Sequence, residues 1–242
     1  MTREKGVLRV GTSGYQYDHW AGAFYPSGLP QKDWLEHYAQ HFDTVEINNT
    51  FYHLPDRSTF ESWGQRVPSD FLYAVKFSRY GSHIKRLKAA EQTVDAFVQA
   101  ACGLGKALGP ILVQLPPRWK PNHERLRAFV EPIRATPYRW AFEFRDPRWL
   151  TEPVFAMLRE SGAALVIHDL IPDHPRVRTA DWTYRRFHGD SYAGSYSPET
   201  LKREGEEIRG WLAEGRDVYA YFNNDAEGYA PRNALELLDY AG

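Results

Sequence analysis

Glu46, Lys76, Glu143 and Arg186 lie far apart in the chain, with His188 two residues beyond Arg186, yet each sits in a short run that carries Val, Ile, Phe or Tyr. Successive side chains of a strand point to opposite faces, so parity divides each run into two sets. One set holds Val45 and Ile47, Val75 and Phe77, Val113 and Leu115, Phe142 and Phe144, Ile167, Phe187 and Phe222, all of them apolar. The other holds Glu46 and Asn48, Lys76 and Ser78, Gln114, Glu143 and Arg145, His168, Arg186 and His188, and Asn223. Acids, bases and fixed cations on one parity suit acid/base work on a negatively charged ligand. Glu46 and Glu143 are the candidate catalytic carboxylate pair, which with His188 would handle protons. Nearby Lys76, Arg145 and Arg186 would pull their pKa values down, which suits a base or an orienting group better than an acid. His188 is the strongest single catalytic candidate, because imidazole ionises near neutrality without heavy tuning. Lys76, Arg145 and Arg186 would bind negative charge, while Asn48, Tyr52, Gln114, Asn223 and Asp225 would position the ligand. The alternative is a buried polar network with no ligand, which is costly unless every member is paired.

Eight runs must position these groups: residues 7–13, 44–48, 71–78, 110–115, 139–145, 164–169, 183–189 and 218–224. Most begin far enough apart for a βαβ unit of roughly 30 residues. Helical patterns lie between them. Residues 30–42 place Trp34, Leu35, Tyr38 and Phe42 on one face, and Asn122 is an N-cap type before Leu126, Phe129 and Val130. Ser197-Pro198 opens a long pattern that closes on Gly215. Between runs six and seven, Pro172 and Pro175 leave no room for a full helix. The pattern predicts an α/β protein, a somewhat irregular (β/α)8 TIM barrel over residues 1–242 as a single domain. Its helix between strands six and seven should be missing or shortened. Inward side chains at the C-terminal ends of such strands build the mouth of the barrel, where active sites of this fold lie.

Several motifs add up along the whole chain. They are Gly11-Thr-Ser-Gly14-Tyr with Trp20 and Phe24-Tyr25-Pro26, then Glu46-Ile-Asn48-Asn49-Thr-Phe51-Tyr52, and Lys76-Phe77. Gln114-Leu-Pro116-Pro117, Glu143-Phe-Arg145-Asp-Pro-Arg-Trp149, Arg186-Phe-His188-Gly189 and Tyr221-Phe222-Asn223-Asn224-Asp225 follow. Together they resemble the YecE-like family, a group described as a domain of unknown function, DUF72. The resemblance implies a TIM-barrel fold and no established activity. Tyr15 stands where the family more often has Trp, and His168-Asp169 where it often has a small residue.

Composition narrows the remaining choices. With 30 Lys+Arg against 31 Asp+Glu the chain has no global field for nucleic acid or an anionic membrane. The start, MTREKGVLRV, has no apolar stretch of signal-peptide length, and Cys102 is the one cysteine, so a cytoplasmic protein is expected. The segment Gly103-Leu-Gly105-Lys106 imitates a phosphate loop but precedes a strand, the wrong order. Glu143, His168, Asp169, His188 and Asp225 form an O/N set that could hold a divalent ion, although no short ligand spacing supports a metal. The cofactor is left open. Arg79, His83, Lys85, Arg86 and Lys88 make a basic loop after strand three that could act as a lid. The expected function is therefore an enzyme, a hydrolase or isomerase, acting on a small polar or anionic ligand such as a sugar phosphate or nucleotide fragment. The rivals are a nucleic-acid-binding or repair-like protein using the basic loop, and a barrel that binds without catalysis. Oligomeric state is open.

Overall fold

A computed structural model of the chain describes residues 4–189 and 194–242. Eight parallel strands make one sheet: β1 (Leu8–Thr12), β2 (Thr44–Ile47), β3 (Leu72–Lys76), β4 (Leu108–Gln114), β5 (Trp140–Glu143), β6 (Ala164–His168), β7 (Thr183–Phe187) and β8 (Val218–Phe222). Neighbours follow chain order, with β8 returning to β1. A bridge between Ser13 and Glu46, with Gly14 N–H donating to the Glu46 carbonyl at 2.7 Å, brings β1 back to β2 and closes the ring. Around it run α1 (Trp34–Tyr38), α2 (Asn49–Tyr52), α3 (Arg57–Gln65), α4 (Ala90–Ala101), α5 (His123–Arg134), α6 (Glu152–Ser161), α7 (Pro198–Ala213) and α8 (Tyr229–Ala241). This is the expected (β/α)8 barrel. No helix lies between β6 and β7, where Pro172 and Pro175 stand. No helix of the described residues is long and apolar enough to cross a membrane.

The β1–β2 seam depends on two residue types. A Cβ on Gly11 would lie 2.2 Å from the Thr44 carbonyl oxygen, so only glycine allows this approach. Beside it the Tyr38 hydroxyl of α1 accepts from Thr12 N–H at 2.8 Å and donates to the Thr44 carbonyl at 3.1 Å. It thereby satisfies backbone groups that a ladder would otherwise pair.

The parity sets fall as the alternation requires. Val45, Val75, Val113, Phe142, Phe187 and Phe222 pack outward against the helix layer, in one cluster with Phe97 of α4, Phe129 of α5 and Ile208 of α7. Inside, Ala74, Leu112, Ala141, Val166, Tyr184 and Tyr221 fill the barrel below its mouth. Arg185 breaks the pattern, since its parity sends a charge into the helix layer. There it donates to Glu204 of α7, which Arg176 also binds, so the buried cation has its counter-charge.

The helix starts match the capping signals: Asn122 accepts from Arg125 N–H at 2.9 Å and Ser197 from Thr200 N–H at 3.3 Å. The basic loop after β3 follows β3 as expected, in a conformation its residue types do not signal. It forms a single π-helical turn, Tyr80–Ile84, and then places Arg86, Leu87 and Ala89 at φ values of 48°, 64° and 52°.

Candidate functional site

Arg186 organises the mouth. At the end of β7, 2 % exposed, it reaches two carboxylates on opposite sides of the ring. Its Nη1 donates to Glu143 Oε2 at 2.5 Å and its Nη2 to Glu46 Oε1 at 2.7 Å. Glu46 Oε1 also accepts from the Ser13 hydroxyl, and Oε2 from the Tyr184 hydroxyl at 2.7 Å. Glu143 Oε1 accepts from Gln114 Nε2 at 2.8 Å and from Arg145 Nε. Burial pushes both carboxyls up. The Arg186 guanidinium more than reverses this, aided at Glu46 by Ser13 and Tyr184 and at Glu143 by Arg145, so Glu46 ends below its usual range and Glu143 well below. Burial alone would lower the Arg186 pKa, but the two carboxylates raise it instead.

His188 lies two residues beyond Arg186 on the same parity. Its Nδ1 is 3.0 Å from Asp169 Oδ1, and Asp169 also accepts the His188 backbone N–H at 3.1 Å and the Tyr196 hydroxyl. That contact fixes the Nδ1–H tautomer and leaves Nε2 with its lone pair, 3.3 Å from Arg186 Nη1. Burial, followed by the field of Arg186, outweighs Asp169 and lowers the imidazole pKa, so the ring is neutral at pH 7.

Lys76 is buried at the end of β3 and forms no ion pair with a carboxylate among the described residues. Its Nζ lies 4.5 Å from the centre of the Phe51 ring and makes no hydrogen bond among the described residues. Desolvation, then the charge of Arg186, lowers its pKa to about 8. The terminal nitrogens of Arg145 likewise make no hydrogen bond among the described residues, its Nε alone being engaged. Lys76, Arg145 and Arg186 therefore face Glu46 and Glu143 with one positive charge in excess. Two buried atoms in this cluster lack a hydrogen-bond partner among the described residues: the Arg186 Nε donor and the Asn48 Oδ1 acceptor.

Of the residues singled out in the sequence, Glu46, Glu143, Arg186, Gln114, Arg145, Asn48 and His188 form one hydrogen-bonded group, with Lys76 beside it. Asn48 joins through Nδ2, which donates to Ser13 Oγ at 2.7 Å. Tyr52 stands apart on α2, 78 % exposed. Asp225 belongs to the rim, its carbonyl accepting from Trp20 Nε1 at 2.8 Å and so tying down the first loop. Asn223 is half-buried after β8 and gives its backbone N–H to the Phe187 carbonyl. His168 has both ring nitrogens on backbone, Nε2 on the Phe144 carbonyl and Nδ1 on Leu170 N–H. Among the described residues no three His, Cys, Asp or Glu side chains gather as a metal set.

Sequence reading passed over Ser13, Tyr184 and the orienting role of Asp169. Ser13 was findable, because it continues the inward parity of Gly11 in β1. Tyr184 shares the parity of Arg186 one layer lower, where an aromatic residue reads as core.

The chain matches the family described as "Protein of unknown function DUF72" over residues 9–242. It belongs to the DUF72 family. The UPF0759 protein YunF of Bacillus subtilis is 26 % identical over 278 residues, covering 98 % of this chain and 97 % of that protein. The UPF0759 protein YecE of Escherichia coli K12 is 28 % identical over 146 residues, 58 % of this chain and 53 % of that one. The crystal structure of a DUF72 family protein from Thermotoga maritima MSB8 is similar with a TM-score of 0.85 and 29 % identity, covering 96 % of this chain and 98 % of that one. A second DUF72 structure, from Enterococcus faecalis V583, has a TM-score of 0.79 at 22 % identity, covering 97 % and 95 % of the two chains, and shares the fold. The DUF72 fold is thus the frame on which the Arg186 cluster is built.

Proposed function

We propose that this DUF72 protein is an enzyme that takes a small anionic ligand at the C-terminal mouth of its barrel and transforms it by acid/base chemistry. The observation that carries the reading is Lys76, a buried ammonium with no carboxylate of its own, beside the free guanidinium end of Arg145. A buried cation without a partner is costly, and a site for anions is the ordinary use of that cost. Lys76 and Arg145 take the negative charge. Arg186, its terminal nitrogens held by Glu143, His188, Glu46 and Ser13, lends the mouth a fixed positive field, and Asn48 and Gln114 align hydroxyl groups.

His188 is the proton-transfer group, since Asp169 sets its tautomer and turns the Nε2 lone pair toward Arg186 and the mouth. Glu46 and Glu143 serve in this reading as the clamp on Arg186 rather than as exchanging acids and bases, because every carboxylate oxygen already accepts from a cation or a hydroxyl. Hydrolysis and isomerisation both fit such a set.

The test is a thermal-shift screen of phosphorylated and carboxylated metabolites against their neutral analogues, followed by turnover assays on the hits. Anions should raise the melting temperature of the wild type and leave Lys76→Met and Arg145→Ala unmoved, and His188→Ala should bind but not turn over. Hits indifferent to both cation variants would contradict the assignment. Binding with no turnover by the wild type would mark a non-catalytic barrel.

A second reading has its own support. Arg79, Arg86 and Lys88 are exposed on the same loop as the exposed Tyr80 ring, a combination that suits single-stranded nucleic acid. Steep loss of oligonucleotide binding with added salt would favour it.

A further inference from the structure

Among the described residues the large apolar side chains that stand exposed are Val7, Tyr52, Tyr80 and Ile84. Three of these four belong to the two loops that flank one cleft. Tyr52 stands at the end of α2, just after β2, and Tyr80 and Ile84 lie on the loop after β3. The cleft between them holds about 390 Å³, within the range of small-molecule sites, and α4 forms its floor with Thr93 and Ala96. No acidic residue lines it among the described residues. Its charged member is Lys85, whose Nζ lies 5.3 Å from the centre of the Tyr80 ring.

The cleft adjoins the cation cluster through a shared wall. Phe51 lines the cleft, and the same ring carries the Lys76 Nζ at 4.5 Å from its centre. Ser78, on the inward parity two residues beyond Lys76, lines it as well. Lys76 and Arg145 do not themselves line the cleft, so a ligand whose negative group meets them reaches the space between Tyr52 and Tyr80 by extending past the Phe51 ring. Aromatic walls reward a flat ring more than an alkyl chain, because edge-to-face and offset-stacked geometries add to area burial.

The loop that carries Tyr80 also bears backbone strain. Arg86, Leu87 and Ala89 all take left-handed φ values with no glycine among them. Such conformations cost free energy and recur at ligand clamps, where the surrounding structure enforces them. Leu87 is anchored, 1 % exposed, while the Tyr80 ring is left projecting beside the cleft.

We propose that the cleft bounded by Phe51, Tyr52 and Tyr80 binds a flat aromatic or heteroaromatic ring of the ligand whose anionic group is held at Lys76 and Arg145. The substrate class is thus an anion carried on a ring, rather than an aliphatic phosphate or carboxylate. This rests on the mouth reading above and deepens it.

Calorimetric titration in phosphate-free buffer with phenylphosphonate and methylphosphonate tests the two separately. Phenylphosphonate should bind the wild type about tenfold more tightly than methylphosphonate. In the double variant Tyr52→Ala/Tyr80→Ala, both at exposed positions, that preference should disappear while methylphosphonate affinity is unchanged. Lys76→Met should weaken both ligands. Equal affinities in the wild type, or a preference that survives the double variant, would overturn the ring site and leave the anion site standing. Affinities untouched by Lys76→Met would overturn the mouth reading, and failure of both compounds to bind would overturn both.

Discussion

Arg186 and Lys76 are both buried cations at the mouth, but only Arg186 has carboxylates of its own. Removing the Arg186 guanidinium leaves Glu46 buried with hydroxyl partners alone and Glu143 with Arg145 as its one remaining ion-pair partner among the described residues. Arg186→Met should therefore lose about 3–5 kcal/mol of stability, read as a drop in the urea midpoint. Adding Glu46→Gln and Glu143→Gln should restore part of it, because the stranded charges go. Lys76 should behave in the opposite sense. Its pKa is 10.5 when free and about 8 in the fold, so between those values the unfolded chain holds the extra proton. Stability then rises with pH across that window, and below it the full penalty applies. Lys76→Met should accordingly be more stable than the wild type at pH 7, by on the order of 2–3 kcal/mol. That advantage should shrink steadily between pH 8 and pH 10.5 in parallel urea titrations. A residue that weakens the fold where it stands is retained for another task, and anion binding is the task proposed here.

At the scale of elements, strand faces were legible because burial on one side of a strand imposes alternation, and the helix gap after β6 was legible because Pro172 and Pro175 forbid it. The contacts between strands were less so. Parity says which face Ser13, Glu46 and Arg186 occupy, but the stagger of β1 against β2 and β7 decides that the Arg186 guanidinium meets both of the other side chains. Arg185 was hidden for a related reason, since its counter-charge Glu204 comes from α7, after the strand. The loop after β3 was the least legible element. Its left-handed residues are Arg, Leu and Ala, none of which signals that conformation. Ala89, exposed at φ 52° ahead of α4 with no side-chain cap, marks the local cost. Ala89→Gly should stabilise the protein by about 1 kcal/mol, because glycine takes the left-handed region without a Cβ penalty. A loss on denaturant unfolding would show that the loop carries no such strain.

Across the whole molecule, the mouth and the loops around it keep several imidazoles neutral. Burial lowers the pKa of His168 and His188, and brings His83 and His174 to about 4. Each binds its proton more readily in the unfolded chain, so their contribution is complete above pH 6.5 and is lost as pH falls toward 4. Glu46 and Glu143 add to the loss below about pH 4.5, the usual range of a glutamate. The melting temperature should therefore decline from pH 6.5 downward, before Glu46 and Glu143 contribute, and replacing His174 with Gln should flatten the first part of that decline. The most direct test of the anion-binding mouth joins stability to ligand response in one pair of proteins. Scanning calorimetry of the wild type and Lys76→Met at pH 7, each with and without phenylphosphonate, should show the variant melting higher in buffer alone and only the wild type gaining from the ligand. A variant that melts lower than the wild type, yet gains as much from phenylphosphonate, would contradict it.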